Sequence, residues 1–288
     1  MNQASPFSVV IPAYNAQSTL GPCLQSVMEQ THTPRQIVVV DDGSTDSTPF
    51  LAQRLLERQP IPYILVKQYN QGLGAARNAG IKACEAPWIA LLDADDLWHP
   101  TKLQVMNSYI QNQKRPVDVY THSLWSLDGG RDRKAKVPRS LYQLCAQGMA
   151  PIPSASVIFK TSLNELNGFS QDRAHLGAED FHLWARMIKR DMRFVAIPQF
   201  LGHYRYGGMS TQLQTHLNHV FATLHDLLLK GILNEDLVRQ ARNRKHYEAG
   251  RFLQKQGEFK RAMLYYDAIP MHLKAAVFKL LAEWRIKL

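Results

Sequence analysis

The stretch IALLDADDLW at residues 89–98 joins four consecutive apolar residues to three carboxylates, Asp93, Asp95 and Asp96. Four apolar residues in a row predict a strand buried on both faces. Carboxylates crowded at the carboxyl end of such a strand repel one another, and a cation relieves that repulsion. A hard divalent ion takes oxygen ligands, and Mg²⁺ uses one or two protein carboxylates and completes its shell with water and substrate phosphates. The same residues also suit a solvated turn capping the helix that follows Pro100. The stretch alone leaves both readings open.

Working outward, FSVVI at 7–11, QIVVV at 36–40 and residues 63–67 read as further strands, and 88–92 as the fourth. Helices starting at Ser18, at Ser47 or Thr48, and at 75–85 fall between them. This β-α-β-α-β-α-β alternation calls for a mostly parallel, right-handed doubly wound sheet, an α/β fold. Ligands of such sheets bind outside the carboxyl ends of the strands. Here those ends read Ala13-Tyr14-Asn15, DDGS at 41–44, NQG at 70–72 and DADD at 93–96. Each is a turn signal by itself, but their repetition at four successive strand ends favours a nucleotide pocket.

The segment NQGLGAARNAG at 70–80 contains GxG, yet Arg77 stands where a dinucleotide fingerprint has its third glycine, and the segment follows the third strand. A nicotinamide site is therefore disfavoured. Gly72 and Gly74 would let backbone approach a ligand, with Arg77 one turn later free to meet phosphate. The competing expectation is a helix start in which Arg77 pairs with a neighbouring acid.

Beyond Pro100 the pattern gives a helix to about Gln113, strands at 117–121, 154–160 and 194–197, and a His/Arg-rich loop at 201–210. Residues 126–140 are basic and punctuated by Gly and Pro, as expected of a mobile loop or hairpin that closes over ligand. In GAEDFHLWARM at 177–187, Leu183, Trp184 and Met187 sit at helical inward spacing, leaving Glu179 and Asp180 in the first turn. Acids there complement the helix dipole, and a carboxylate so placed can also serve as a general base. From Leu213 onward the chain reads as wholly helical, with a hairpin around Gly257 and a last helix carrying Phe278, Leu281 and Trp284 on one face. Two regions follow, 1–211 and a helical extension at 212–288.

Composition narrows the function. The formal charge is +10, with five basic residues against one acid at 131–139 and 13 against 7 at 212–288. No zinc finger, RRM signature or clear helix-turn-helix accompanies that charge, so no nucleic-acid partner is expected. Cys23, Cys84 and Cys145 are odd in number and form no CxxC, consistent with reduced core residues in a cytoplasmic protein. Neither a secretion signal nor a membrane span is expected. The basic, amphipathic last helix is compatible with peripheral contact at the inner face of a membrane, and packing on its own chain or a homodimer partner is the commoner use of such a stripe.

Taken together, VVIPAYN at 9–15, VVVDDGSTD at 38–46, NQGLGAARNAG at 70–80, LLDADD at 91–96 and GAEDFHLWARM at 177–187 resemble a family 2 glycosyltransferase with the GT-A fold. The resemblance covers about residues 6–211. It implies a hexosyltransferase-type enzyme that moves sugar, with inversion, from a nucleotide-diphosphate sugar, a UDP-sugar foremost, to a saccharide or lipid-linked hydroxyl acceptor in polysaccharide or glycoconjugate synthesis. By the same resemblance Asp41 and Asp42 contact base and ribose together with Pro12, Ala13, Tyr14 and Asn15. Asp93, beside Ala94, touches ribose. Asp95 holds Mg²⁺ or Mn²⁺ against the diphosphate, and Asp180, with Glu179 beside it, is the base. Many relatives carry a His after the Tyr-Arg of the late loop; here Tyr206-Gly207-Gly208 follow Arg205, and His203 precedes it as the available metal or phosphate ligand. A sugar-nucleotide nucleotidyltransferase would place a Gly-rich basic loop after the first strand, where this chain has Pro12-Ala13-Tyr14-Asn15. A non-catalytic nucleotide-binding protein would be expected to lack Asp95 or Asp180.

Overall fold

The computed structural model describes residues 5–205, 213–270 and 273–287. Eight strands form one sheet: β1 (Phe7–Ala13), β2 (Gln36–Asp41), β3 (Tyr63–Lys67), β4 (Trp88–Leu91), β5 (Leu97–Trp98), β6 (Val119–Ser126), β7 (Ser156–Phe159) and β8 (Phe194–Tyr204). Their order is β3-β2-β1-β4-β7-β6-β8-β5. The first four pair in parallel, as the alternating pattern requires. Beyond them β7 enters antiparallel between β4 and β6, β8 runs parallel to β6, and the short β5 pairs antiparallel with β8. The expectation of a Rossmann-like α/β sheet flanked by helices therefore holds, with antiparallel pairs confined to the second half.

Helices α1 (Leu20–Met28), α2 (Thr48–Leu56), α3 (Leu73–Ala83) and α4 (Lys102–Gln111) follow β1, β2, β3 and β5. Burial on both faces explains the unbroken apolar runs, since all seven residues of β1 and all six of β2 are buried. Alternate side chains of one strand reach opposite faces. Val9, Ile11, Ile37 and Val39 accordingly pack with Leu20, Leu24 and Leu56 on one side, while Val10, Val38 and Val40 pack with Ala76, Ile81 and Trp184 on the other.

Several boundaries differ from those read off the sequence. Ser18 lies one residue before the cap position of the helix it was expected to start; the N-cap is Thr19, whose side chain makes no capping bond. The third helix begins at Leu73, two residues early, because Gly72 at φ 93° turns the chain directly into it. Residues 201–204 are the end of β8, with Leu97 opposite His203 and Trp98 opposite Gly202. Their polar composition disguised a strand that is half-exposed along much of its length. Residues 126–140 begin as the end of β6 and fold back at the Leu124–Arg133 bridge, which is the hairpin alternative.

The remaining helices are α5 (Leu141–Cys145), α6 (Lys160–Glu165), α7 (Glu179–Lys189), α8 (Leu213–Leu229), α9 (Glu235–Gln256), α10 (Phe259–Asp267) and α11 (Leu273–Glu283). The boundary expected at 211–212 lies outside the described residues. On its far side, Val220, Leu224, Leu227 and Ala241 of α8 and α9 share a core with Leu183, Trp184 and Met187 of α7. Leu253, Ala262 and Tyr266 form a smaller cluster under the α9–α10 hairpin, which turns at Gly257 with φ 82°. In α11 the expected stripe divides: Phe278 packs against Tyr247 and under Arg251, whereas Trp284 is 66% exposed. Among the described residues no helix is long and apolar enough to cross a membrane.

Close packing places α3 against the segment that leads to α7. A Cβ added at Gly74 would overlap the Ser170 carbonyl oxygen, and backbone cannot move aside cheaply. Gly74→Ala gains roughly 1 kcal/mol of helix propensity but overpacks the contact at a cost of roughly 1–3 kcal/mol. The variant should therefore be less stable than the parent in chemical denaturation; a rise in midpoint would show that the contact yields.

Candidate functional site

A cavity of about 860 Å³ opens at the carboxyl ends of β1, β2 and β4. Pro12, Ala13, Tyr14 and Asn15 form one wall, Asp42 and Gly72 the next, Asp93, Ala94, Asp95 and Asp96 the floor, and Asp180 a far side. The β1 loop is held in shape by reciprocal bonds: Asn15, with φ 49°, donates its N–H to Ser44 Oγ at 3.0 Å and accepts from Thr45 N–H at 2.8 Å. That leaves the Tyr14 ring 52% exposed over the cavity wall, free to stack on a flat ligand.

Five residues expected at the ligand lie off the cavity. Asp41 is turned back, accepting the Ser44 N–H at 3.1 Å. Gly74 serves helix packing, as above. His203 stacks on Trp125 at 5.0 Å between ring centres, because the strand register of β8 sends it to the outer end of the sheet. Arg77 and Glu179 are the largest departures. Arg77 is 1% exposed and forks between two acids, Nη2 to Asp93 Oδ1 at 2.8 Å and Nη1 to Glu179 Oε1 at 2.8 Å. It also lies 5.1 Å over the Phe169 ring. Burial works against its charge, but Asp93 and then Glu179 outweigh that and hold its pKa above the ordinary value. Glu179 spends its other oxygen on the Gly177 N–H at 2.7 Å. Arg77 thus takes the neighbouring-acid alternative to a phosphate clamp, and Glu179 is its partner.

Asp42 does face the cavity, but its carboxylate braces the loop beside it, accepting from Gln68 Nε2 at 2.7 Å and from the N–H groups of Gln71 and Gly72 at 2.9 Å each. The floor carries unbalanced charge. Burial, then Asp93, raises the Asp95 pKa; the same two causes push Asp96 up to about 8. Carboxylates that raise one another in this way are a donor set suited to a hard divalent cation. Asp180, in the first turn of α7, is raised to about 6 by burial and then by Glu179. It bonds only its own helix, accepting the Phe181 N–H at 2.7 Å.

Other participants escaped the sequence. Ser154, in a 3₁₀ turn before β7, accepts the Asp93 N–H on its hydroxyl at 3.0 Å, and its carbonyl accepts from Trp98 Nε1 at 3.2 Å and from Lys102 Nζ at 3.0 Å. Lys102 is fully buried 3.7 Å from the Trp98 ring centre, under Asp96. Arg133 and Arg205 line the cavity mouth; Arg205 donates its N–H to Asp96 at 2.9 Å and pairs with Asp128 at 3.1 Å. The basic run at 131–139 was the one signal for Arg133, and nothing local marked Ser154 or Lys102.

Residues 8–164 match the family model for glycosyl transferase family 2, and the chain belongs to that family. A glycosyltransferase of Nostoc sp. is 45% identical over 122 residues, which are 42% of this chain and 37% of that relative; the chain spans little more than a third of it. A UDP-Glc:alpha-D-GlcNAc-diphosphoundecaprenol beta-1,3-glucosyltransferase of Escherichia coli, WfgD, is 26% identical over 63% of this chain and 69% of its own. The solved structure of a mannosyltransferase of Pyrobaculum calidifontis, in complex with GDP-Man and Mn²⁺, superposes with a TM-score of 0.65 at 21% identity, covering 98% of this chain and 80% of that one. The fold is that of GT-A glycosyltransferases.

The buried fork predicts that Arg77→Met, which leaves Asp93 and Glu179 uncompensated, destabilises by roughly 3–5 kcal/mol. The double variant Arg77→Met/Glu179→Leu should recover part of that loss in urea denaturation. A single variant as stable as the parent would refute the bracing role.

Proposed function

We propose that this chain is a metal-dependent, inverting glycosyltransferase that transfers a sugar from a nucleotide-diphosphate sugar, a UDP-sugar foremost, to a hydroxyl of a saccharide or lipid-linked acceptor in polysaccharide synthesis. One observation carries the reading: a single cavity brings the Asp93-Ala94-Asp95 floor and the half-buried Asp180 into reach of one ligand. The donors and acceptor that the names of those relatives give are consistent with it. So is placement at the cytoplasmic side of a membrane, where a lipid-linked acceptor is presented.

In this reading Tyr14 and the Asp42-braced loop take the nucleoside, Asp93 touches its ribose, and Asp95 would hold Mg²⁺ or Mn²⁺. The ion, when bound, supplies Lewis-acid stabilisation to the departing diphosphate. Arg133 and Arg205 at the mouth add fixed positive charge where negative charge grows. Asp180 accepts the acceptor's proton as its oxygen attacks the anomeric carbon. A base must be unprotonated at working pH yet basic enough to take a proton, and a pKa raised to about 6 meets both conditions near neutrality. Glu179, neutralised by Arg77, is not available for that task.

Two variants test the assignment. Asp95→Asn should abolish Mn²⁺-dependent binding of UDP while leaving the melting temperature close to the parent's; retained metal-dependent affinity would remove Asp95 from the metal site. Asp180→Asn should keep donor affinity and lose about 10²- to 10⁴-fold in transfer, against roughly 0.3–1 kcal/mol of stability if it served only the helix dipole. The pH dependence has a definite sign. Below about 6 Asp180 carries a proton and cannot accept another, so the transfer rate should climb with pH and reach half its plateau near that value. A rate flat between pH 5 and 7 would place the base elsewhere.

A further inference from the structure

Outside the cavity, one cluster combines metal-ligating chemistry with burial. His175 closes a 3₁₀ turn just before α7, His182 lies two residues beyond Asp180, and Asp226 comes from α8. One ligand atom from each lies within 4.8 Å of the other two, and this is the group of three that the described residues offer. We propose that His175, His182 and Asp226 form a transition-metal site of the Zn²⁺ class, separate from the hard-cation floor of the cavity, that staples the segment before α7 and α8 to the helix carrying Asp180.

The donor set favours a borderline ion, because two imidazoles and one carboxylate suit Zn²⁺ better than Mg²⁺ or Mn²⁺. Both histidines are 3% exposed, and burial keeps their rings neutral with lone pairs available. His175 is already oriented from behind: its Nδ1 meets Ser170 Oγ at 2.7 Å, the outer support that a ligating imidazole ordinarily has. The two rings stack at 4.9 Å between centres with a 23° tilt, so binding one ion requires one ring to turn about its side-chain bonds until its lone pair points at the other ring's nitrogen. His182 Nε2 stands 2.9 Å from Asp226 Oδ2, while the His182 Nδ1 is buried without any partner.

The distances need little adjustment. Bonds of about 2.0–2.1 Å in a tetrahedral site put ligand atoms roughly 3.3 Å apart, so the widest pair must close by no more than about 1.5 Å. Asp226 is the adaptable member, with its side chain 27% exposed, and its present partner Lys230, at 2.7 Å, is half in solvent. An incoming cation would displace that ammonium and leave room for a water as fourth ligand. All three residues lie beyond the segment matched by the family model at 8–164, so the site is a feature of this chain's own second half.

The test uses the whole chain carrying Asp95→Asn, which removes the metal site proposed in the cavity. After EDTA treatment and desalting, Co²⁺ should develop the intense visible absorption of a low-coordinate nitrogen-ligated ion at one equivalent. Zn²⁺ should abolish it by competition and raise Tm by about 5 °C at a hundredfold excess over its Kd. Asp226→Asn, on the half-exposed member, should fold and lose both effects; His182→Gln should do the same, and His203→Gln should lose neither. Absence of the band in the parent, or a band that survives Asp226→Asn and His182→Gln, overturns the proposal. Neither readout depends on transfer activity, so failure here is distinct from failure of the glycosyltransferase reading.

Discussion

The guanidinium of Arg77, buried between Asp93 and Glu179, is the interaction on which the site depends. It joins three elements that are distant in sequence: α3, the end of β4, and the first turn of α7. A buried charge without partners would be very costly, and two acids without it equally so. Neither the β4 loop nor the start of α7 can therefore move independently of α3. The fork is bidentate toward two different residues, which fixes orientation as well as distance. Because one of those residues is two positions before Asp95 and the other adjoins Asp180, the proposed metal ligand and the proposed base are held at a set separation by a residue that bonds neither of them.

Beneath the same floor a second brace acts from the antiparallel half of the sheet. Ser154, delivered by the turn before β7, binds the Asp93 backbone and gathers Trp98 and Lys102. The insertion of β7 beside β4 is thus more than an extension of the sheet. It brings a backbone carbonyl and a hydroxyl under a loop of three acids that would otherwise separate. Burial pulls the Lys102 pKa well down, with the Asp96 charge opposing that shift.

What was legible followed from periodicity and from strand ends. The parallel half of the sheet was readable because double-sided burial leaves unbroken apolar runs, as in β1 and β2. The cavity was readable because parallel strands place their carboxyl ends along one edge, which gathered Tyr14, Asp42, Gly72 and Asp95. Pairings between distant positions were not. Whether Arg77 faces ligand or an acid depends on Glu179, about a hundred residues later, and local spacing carries no information on that choice. His203 was misplaced for a related reason: in β8, half-exposed along much of its length, polar residues resemble a loop. Ser154 and Lys102 belong to ordinary strand and helix contexts, and only the crossing of β7 under the acidic loop gives them a role.

The division of labour among the acids follows from how Arg77 is used. If its charge faced the cavity, it would depress every carboxylate there, Asp180 included, and a base with an ordinary carboxylate pKa would take protons poorly. Spending that charge on Asp93 and Glu179 leaves Asp180 under burial and the adjoining Glu179, with Arg77 a smaller opposing influence. Glu179 is then the counterweight that keeps Arg77 out of the cavity, and Asp180 owes its raised pKa to burial and to the acid beside it. Two adjacent acids at one helix start, alike in charge and spacing, are in this way given different surroundings by a single cation placed 102 residues earlier than one of them.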